Sequence, residues 1–380
     1  RSGRSRRRRN APVKPIEPAQ FPWKAFRRYT YPLGLDLGDC AFLSGMTAST
    51  YDAALDKVVA KGTLREQTST VIEKIRAVLQ AAGYGAGDVV SIVQYVPAAA
   101  LGSLAEFDEL LRAGGLGGAA RHVVPVARLL RRDALLEIEA IAARRSGRTG
   151  EAVRIASSGG HAGGTIEAQI ERLSGLLAAS GSGWSQVARL RVFVASDAAA
   201  ALDEAVDAIR SRVPVLPAVP AVGVPALPPG YDGAQLAIEW LTPPRPGSRP
   251  QADPSESLQA VASGLVRRAG PFLVATGLQA DAGAGGLREQ ARYLYGEAVP
   301  ALLARHGAGM EHLVQTVEWL PLDALPEYRP TAEIRRSLLS EPFPVASGLV
   351  CSALPAGAKL AVDFVARVPS DAGAARESAS

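Results

Sequence analysis

The side chains able to do chemistry in this chain are few, and their spacing excludes most familiar catalytic arrangements. Among 380 residues there are four histidines and two cysteines. His122, His161, His306 and His312 show neither HExxH nor HxH spacing, so no metal and no metal cofactor is expected. Cys40 and Cys351 sit in apolar stretches and read as buried small hydrophobes, not as nucleophiles or a disulfide framework. No GxSxG elbow and no P-loop occurs. The GGLGG run at Gly114 to Gly118 lacks the following helix and lysine that phosphate binding needs, and reads as a loop that could act as a lid. The adjacent pair Arg121 and His122, and Glu137 and Glu139 in the apolar run LLEIEAIA, are polar groups whose roles the spacing alone leaves open. A guanidinium presents a rigid, always-charged fork to a carboxylate. Strand alternation places Glu137 and Glu139 on one face, where a buried carboxylate is costly without a partner. His122 beside the arginine could donate to a ligand or move a proton, or be structural.

These groups need a scaffold, and the composition says what kind. With 47% hydrophobic and 21% charged residues the chain is globular, and its length predicts two or three domains. No stretch supplies the ~18 or more apolar residues of a membrane span; Ala218 to Leu227 is short and broken by proline. The net charge of +5 is concentrated in RSGRSRRRR, whose six arginines leave the remainder at −1. That run reads as a solvated basic tail, and no specific nucleic-acid role is expected. No apolar signal core follows it before Pro12, so a cytoplasmic location is expected.

Repetition organises the rest. The turn-to-strand joints GYGAGDVVSIVQYV, GSGWSQVARLRVFV and GAGMEHLVQTVEWL, beginning at Gly83, Gly181 and Gly307, match one another. Each is preceded by a short strand ending in a small hydroxyl residue and by a long amphipathic helix. Each is followed by a second helix, a proline-containing strand and a closing apolar strand. The opening strands contain Ser44-Gly45, Ser158-Gly159 and Thr276-Gly277. In the first copy the spacing predicts a helix from Leu64 to Ala82, with Thr63 and Glu66 as a capping box. Closing strands are predicted from Arg121 to Leu129 and from Leu135 to Ala142. The second copy predicts helices at Thr165 to Ala179 and Ala199 to Ile209. The third predicts helices at Gly286 to Arg305 and Tyr328 to Leu339. A single-layer sheet with helices on one face must bury its other face, and three such sheets closing around an axis would do so.

The first copy, from about Phe26 to Arg144, resembles the reactive intermediate deaminase (Rid/YjgF) family through YPLGLDLGDCAFLSG, IEKIRAVLQAAGYGAGDVVSIVQYV, ARHVVPVARL and LLEIEAIAA. The resemblance implies an α+β chain of three tandem chorismate-mutase-like units, each a mixed sheet with two helices on one face, forming a single-chain pseudo-trimer. The implied ranges are a basic tail (1–19), unit one (20–145), unit two (151–243), a Pro-rich linker (244–257), unit three (258–369) and a second tail (370–380). It further implies clefts between neighbouring units. At the matching positions Arg121 would clamp a substrate carboxylate, Glu137 would orient the attacking water, and Tyr31, Ser44 and Gly45 would bind substrate. Two departures stand out: Val123 replaces a common cysteine, and His122 replaces a small residue. The Arg121 position aligns with about Val222 and with Ala346 in the later copies, and the Glu137 position with Ala237 and Ala361. Glu239 and Asp363 then match Glu139, which marks that carboxylate as structural. One competent cleft, containing Arg121, is therefore expected.

Three functions stay open on the sequence. The first is hydrolytic deamination of an enamine or imine carrying a carboxylate, with no organic cofactor. The second is a specialised biosynthetic step, such as a tailoring, cyclising or chorismatase-like reaction on the same scaffold. The third is ligand binding without turnover, favoured if Arg121 and Glu137 face different clefts. The expected partner is a small molecule, with neither nucleic acid nor membrane, and the expected assembly is a monomeric pseudo-trimer or a higher oligomer of it.

Overall fold

The computed structural model describes residues 13–21, 29–144, 154–158, 163–213, 219–242, 259–261, 264–269, 271–280 and 283–369. The arginine run, the Pro-rich linker (244–257) and the C-terminal tail (370–380) lie outside the described residues. The range expected as a basic tail (1–19) is corrected at its end: Lys14–Ile16 is a strand paired with Gly34–Asp36, so the first unit begins before residue 20.

Three sheets carry the chain. The first contains β1 (Lys14–Ile16), β2 (Gly34–Asp36), β3 (Cys40–Met46), β6 (Val89–Pro97), β7 (Ala120–Val126) and β9 (Glu137–Ala143), in the order β1-β2-β3-β9-β6-β7. A small hairpin, β4 (Thr50–Asp52) with β5 (Lys57–Val59), follows β3. The second sheet has the order β10-β13-β11-β12, from β10 (Arg154–Ser157), β11 (Val187–Ala195), β12 (Val222–Val224) and β13 (Ala234–Thr242). The third comprises β14 (Gln259–Val261), β15 (Gly264–Ala269), β16 (Phe272–Gln279), β17 (Leu313–Pro321), β18 (Val345–Cys351) and β19 (Ala361–Arg367). Its order is β14-β15-β16-β19-β17-β18, and its far edge is β8 (Arg128–Leu129), donated by the first segment. Each sheet contains the same four-strand pairing. A central strand runs parallel to one neighbour (β6 to β7, β11 to β12, β17 to β18) and antiparallel to the closing strand.

Helices α1 (Leu64–Ala81) and α2 (Leu104–Ala113) accompany the first sheet, and α3 (Ile166–Ala179) and α4 (Ala199–Arg210) the second. In the third segment α5 (Leu287–Tyr293) continues through a π-helical stretch, Leu294–Ala298, into α6 (Val299–Arg305), and α7 (Tyr328–Leu338) follows β17. The α1 start is the expected capping box: the Thr63 hydroxyl accepts from Glu66 N, and Thr63 N donates to Glu66 at 2.7 Å. Val71, Ile75 and Val78 are fully buried beneath it. One device recurs that the sequence pattern did not single out. A first-turn glutamine accepts a backbone N–H at the closing strand or its approach: Gln67 from Leu135 N, Gln169 from Leu236 N and Gln290 from Leu360 N. A buried amide that satisfies strand backbone fixes each long helix to its sheet.

The inner faces of the sheets meet. Tyr95, Phe193 and Trp319 are each the seventh residue of their central strand. Trp319 packs edge-on to Tyr95 at 5.8 Å and tilted to Phe193 at 5.6 Å between ring centroids. Polar groups beside them bridge all three sheets. Glu139 accepts from Tyr95 Oη at 2.9 Å and from Gln315 Nε2 at 3.3 Å, and lies 3.6 Å from Arg191 Nη2. Arg189 donates to Gln315 at 2.8 Å. The outer strands β7, β12 and β18 pack against one another where the sheets converge.

Registers correct the alignment drawn from sequence. Tyr95 pairs with Glu137, Phe193 with Gln235 and Trp319 with Ala361, so Gln235, not Ala237, occupies the Glu137 position of the second sheet. Glu139 corresponds to Ala237 and Asp363, and Glu239 lies two residues beyond. On the outer strands Val124, Val222 and Leu349 face the three aromatics, so Arg121 corresponds to Val219 and Ala346, not to Val222.

Candidate active site

The sheets join at three seams, each pairing an outer strand with the opening strand of the next sheet. At the first seam His122 on β7 lies 3.1 Å from Ser157 Oγ and 3.4 Å from Ser158 Oγ. At the second Pro220 abuts Gly277, which has a φ of +68° and no room for a side chain against that proline. At the third the Ala346 N–H of β18 donates to Ser44 Oγ at 3.0 Å, while Ser44 donates to Pro32 O at 2.6 Å. Ser44, Gly45, Glu137 and Tyr31 therefore share the seam between the first and third sheets.

That seam is built around a buried acid. Glu137 is 7% exposed, and burial, with the charge of Glu139 adding to it, pushes its carboxyl up to about 8. It has no hydrogen-bond partner among the described residues. Any side chain at position 45 would fall on the Glu137 carboxylate and on Ser347 Oγ, so Gly45 is what lets these groups stand together. Ser347 Oγ is itself buried and without a partner among the described residues. The half-buried Tyr31 phenol is pushed well above its usual range, by burial first and then by Tyr29 and Glu137. From the third segment Tyr328 brings its hydroxyl to Gly348 and donates to Glu318 at 2.5 Å. Tyr295 and Arg335 also hold Glu318, at 2.7 Å each.

Arg121 is elsewhere. Its register partner on β6 is Ile92, whereas that of Glu137 is Tyr95. An odd separation along one strand puts the two side chains on opposite faces of the sheet. Arg121 Nη2 pairs with Asp108 on α2 at 2.6 Å and Nη1 contacts Gln94 at 3.4 Å, so both partners belong to its own segment. Burial draws the guanidinium pKa down, opposed by Asp108. The expected single cleft holding Arg121, His122 and Glu137 together is thus corrected. Arg121 and His122 belong to β7 on the side of the second sheet, and Tyr31, Ser44, Gly45 and Glu137 face the third. Both glutamates sit on the inner face, but Glu139 is consumed in bridging the sheets. Among the described residues no cluster of histidine, cysteine, aspartate or glutamate could hold a metal ion.

Residues 23–144 match the family described as Endoribonuclease L-PSP. A RutC family protein of Pyrococcus horikoshii is 34% identical over 134 residues, which is 35% of this chain and 91% of that protein. One from Saccharolobus solfataricus is 38% identical over 113 residues, 30% of this chain and 85% of that protein. The chain belongs to the RutC, or Rid/YjgF, family. Among solved structures the E. coli YjgF gene product is 30% identical, covering 30% of this chain and 88% of its own, with a TM-score of 0.26. The Rid/YjgF match ends at residue 144, so the family segment carries every site residue that the sequence predicted. Tyr328, Glu318, Arg335 and Ser347, which complete the third seam, lie outside it. The legible signal for them was a glutamate at a buried strand position where the first segment has Gln94.

No helix among the described residues is long and apolar enough to cross a membrane.

Proposed function

We propose that this chain is a pseudo-trimer of three Rid-like units in one polypeptide and that it hydrolyses a small enamine or imine at the seam of Glu137. The shared four-strand pairing, the three bridging glutamines and the three aromatics at equivalent strand positions support the tandem reading. In this reading each proposed unit owns one sheet, apart from β1, which precedes the proposed start of unit one, and β8, which crosses into the third sheet. The observation that carries the activity is a buried Glu137 beside a serine hydroxyl with no partner among the described residues, the two separated only by the missing side chain of Gly45; burial favours the neutral form of that carboxyl.

The chemistry follows from that protonation state. With its carboxyl near 8, Glu137 is mostly protonated at pH 7. It gives its proton to the β-carbon of an enamine, forming the iminium. The resulting carboxylate takes a proton from water as the oxygen bonds to the iminium carbon. The carbinolamine nitrogen then receives that proton, the hydroxyl proton returns to Glu137, and the C–N bond breaks to release ammonia and a carbonyl product. Tyr31 and Ser347 are placed to hydrogen-bond the substrate, and Gly45 admits it close to the backbone. A dehydrated serine or threonine product is the substrate class of choice, assayed by ammonia release above the rate in buffer. Glu137→Gln is expected to lower the rate at least 100-fold; a Glu137→Gln enzyme with full rate sinks the proposal.

One observation favours a second reading, binding without turnover. Arg121 is engaged by Asp108 and faces away from Glu137. Saturable binding of substrate analogues with no ammonia release would select it.

A further inference from the structure

The first and third segments run in step from the central strand through the following helix. β6 and β17 are nine residues each, the 3-10 turns after them six each, and α2 and α7 begin directly afterwards. Gln94 therefore corresponds to Glu318, Leu104 to Tyr328 and Leu111 to Arg335. On the outer strands Arg121 corresponds to Ala346 and Val123 to Gly348. In the third segment the strand has exchanged an arginine for alanine and a valine for glycine, and the helix has supplied large polar groups to the same place. The Tyr328 hydroxyl stands where a side chain at 348 would be. Arg335 Nη1 donates to both Glu318 oxygens, at 2.9 and 2.7 Å, as Arg121 Nη1 contacts Gln94. Both guanidinium groups thus rest on the sixth residue of a central strand, one delivered by a strand and the other by a helix.

The two differ in what they leave available. Arg121 commits its second terminal nitrogen to Asp108. Arg335 makes its bonds to Glu318 and Thr331 through Nη1, and its Nε and Nη2 donate to no described residue. The charges of Arg335 and Glu137 both act on Tyr31 and on Tyr328, so the two groups share one seam. Ser347 is 5% exposed and its Oγ has no partner among the described residues, so it is a second polar group on that seam able to bond a ligand.

We propose that Arg335 is the anion-holding group of the Glu137 seam, gripping a substrate carboxylate through Nε and Nη2 while Glu318 braces it from behind. Glu318 neutralises the guanidinium, and the Tyr295 and Tyr328 hydroxyls draw on the same carboxylate, weakening its hold. An incoming carboxylate meets a pre-positioned fork and loses little entropy in ordering it. The substrate of the proposed deamination is then an α-carboxylated enamine or imine. The inference rests on that reading only for turnover; the anion site stands without it.

The test is calorimetric titration of the full chain with 2-oxobutanoate and with its uncharged methyl ester. Arg335→Gln alone strands Glu318 as a buried unpaired charge, so the informative variant is Glu318→Gln with Arg335→Gln, checked for folding by its melting curve. The wild type is expected to bind the keto acid, the double variant to lose roughly tenfold or more, and Glu318→Gln alone to bind a few-fold tighter. Arg121→Gln and all ester titrations are expected to show no change. Unchanged keto-acid affinity in the folded double variant, or no saturable binding by wild type up to about 20 mM, overturns the site. Ammonia release is measured on the same preparations. Arg335-dependent binding without turnover removes the deaminase reading and keeps the anion site. Turnover that needs Glu137 but ignores Arg335 does the reverse.

Discussion

Replacing Glu137 by glutamine should make this protein more stable at alkaline pH. The carboxyl ionises near 8 in the fold and near the ordinary 4.3 in the unfolded chain. Below about 4.3 both states are protonated and the group contributes nothing to the pH dependence. As pH rises, the unfolded chain ionises freely while the folded protein holds the proton, so stability falls by ~1.4 kcal/mol per pH unit until the folded group titrates. The interval of about 3.7 units makes the full loss ~5 kcal/mol, complete above pH 8. Glutamine is isosteric and does not titrate, so the variant escapes that loss. The assay is a pair of thermal melts at pH 5 and pH 9 in one ionic strength, wild type against Glu137→Gln. At pH 5 the two should melt within a degree or two of each other. At pH 9 the variant should melt higher, at roughly 1–2 °C per kcal/mol for a chain of this size, hence by about 5–10 °C. A melting difference that does not change between the two pH values, or a carboxyl titration midpoint below about 6 for Glu137, refutes both the burial argument and the mechanism built on it.

Other outcomes follow from the same geometry. Ser44→Ala removes the hydroxyl bridging Pro32 O to Ala346 N, and should cost about 1–3 kcal/mol in denaturant unfolding by leaving the Ala346 N–H without that bond. Gly45→Ala drives a methyl into the Glu137 carboxylate and Ser347, and should abolish ammonia release while costing ~1–3 kcal/mol of stability. Trp319→Ala empties the contact among three central strands and should cost about 3–5 kcal/mol, read as a lowered melting point. Arg121→Ala breaks a part-exposed pair with Asp108 and should change stability by less than ~1 kcal/mol while leaving turnover at the Glu137 seam intact.

The contrast between Glu137 and Arg335 shows how far the residues alone could be read. Glu137 was legible because it sits in LLEIEAIA, a segment whose neighbours in sequence are also its neighbours in the sheet. So were Tyr31, Ser44 and Gly45, each fixed by a local strand or turn. The helices behaved the same way: the Thr63 capping box and the apolar spacing set α1 to within a residue, because caps and helical faces are local properties. Arg335 was not legible. Its position on an ordinary polar helix carries no signal until β17 and α7 are laid beside β6 and α2. The alignment of the closing strand of the second sheet slipped by two residues for a related reason. Strand sequences of alternating apolar residues match one another equally well at every even shift, and only the pairing of Phe193 with Gln235 fixes the true one.

The sequence by itself determined the long helices, the central and closing strands, the recurrence of the turn-to-strand joint and the family of the first segment, since hydrophobic period, capping and turn chemistry act over a few residues; the added edge strands β1, β14 and β15 were not among them. Tertiary structure alone decided which side chains share a seam. A strand edge can be completed by whichever sheet comes next, and Glu137 and Arg121, sixteen positions apart in one chain, lie on opposite faces and turn to different partners. That choice depends on how three sheets bury their inner faces together, and no stretch of residues encodes it in isolation.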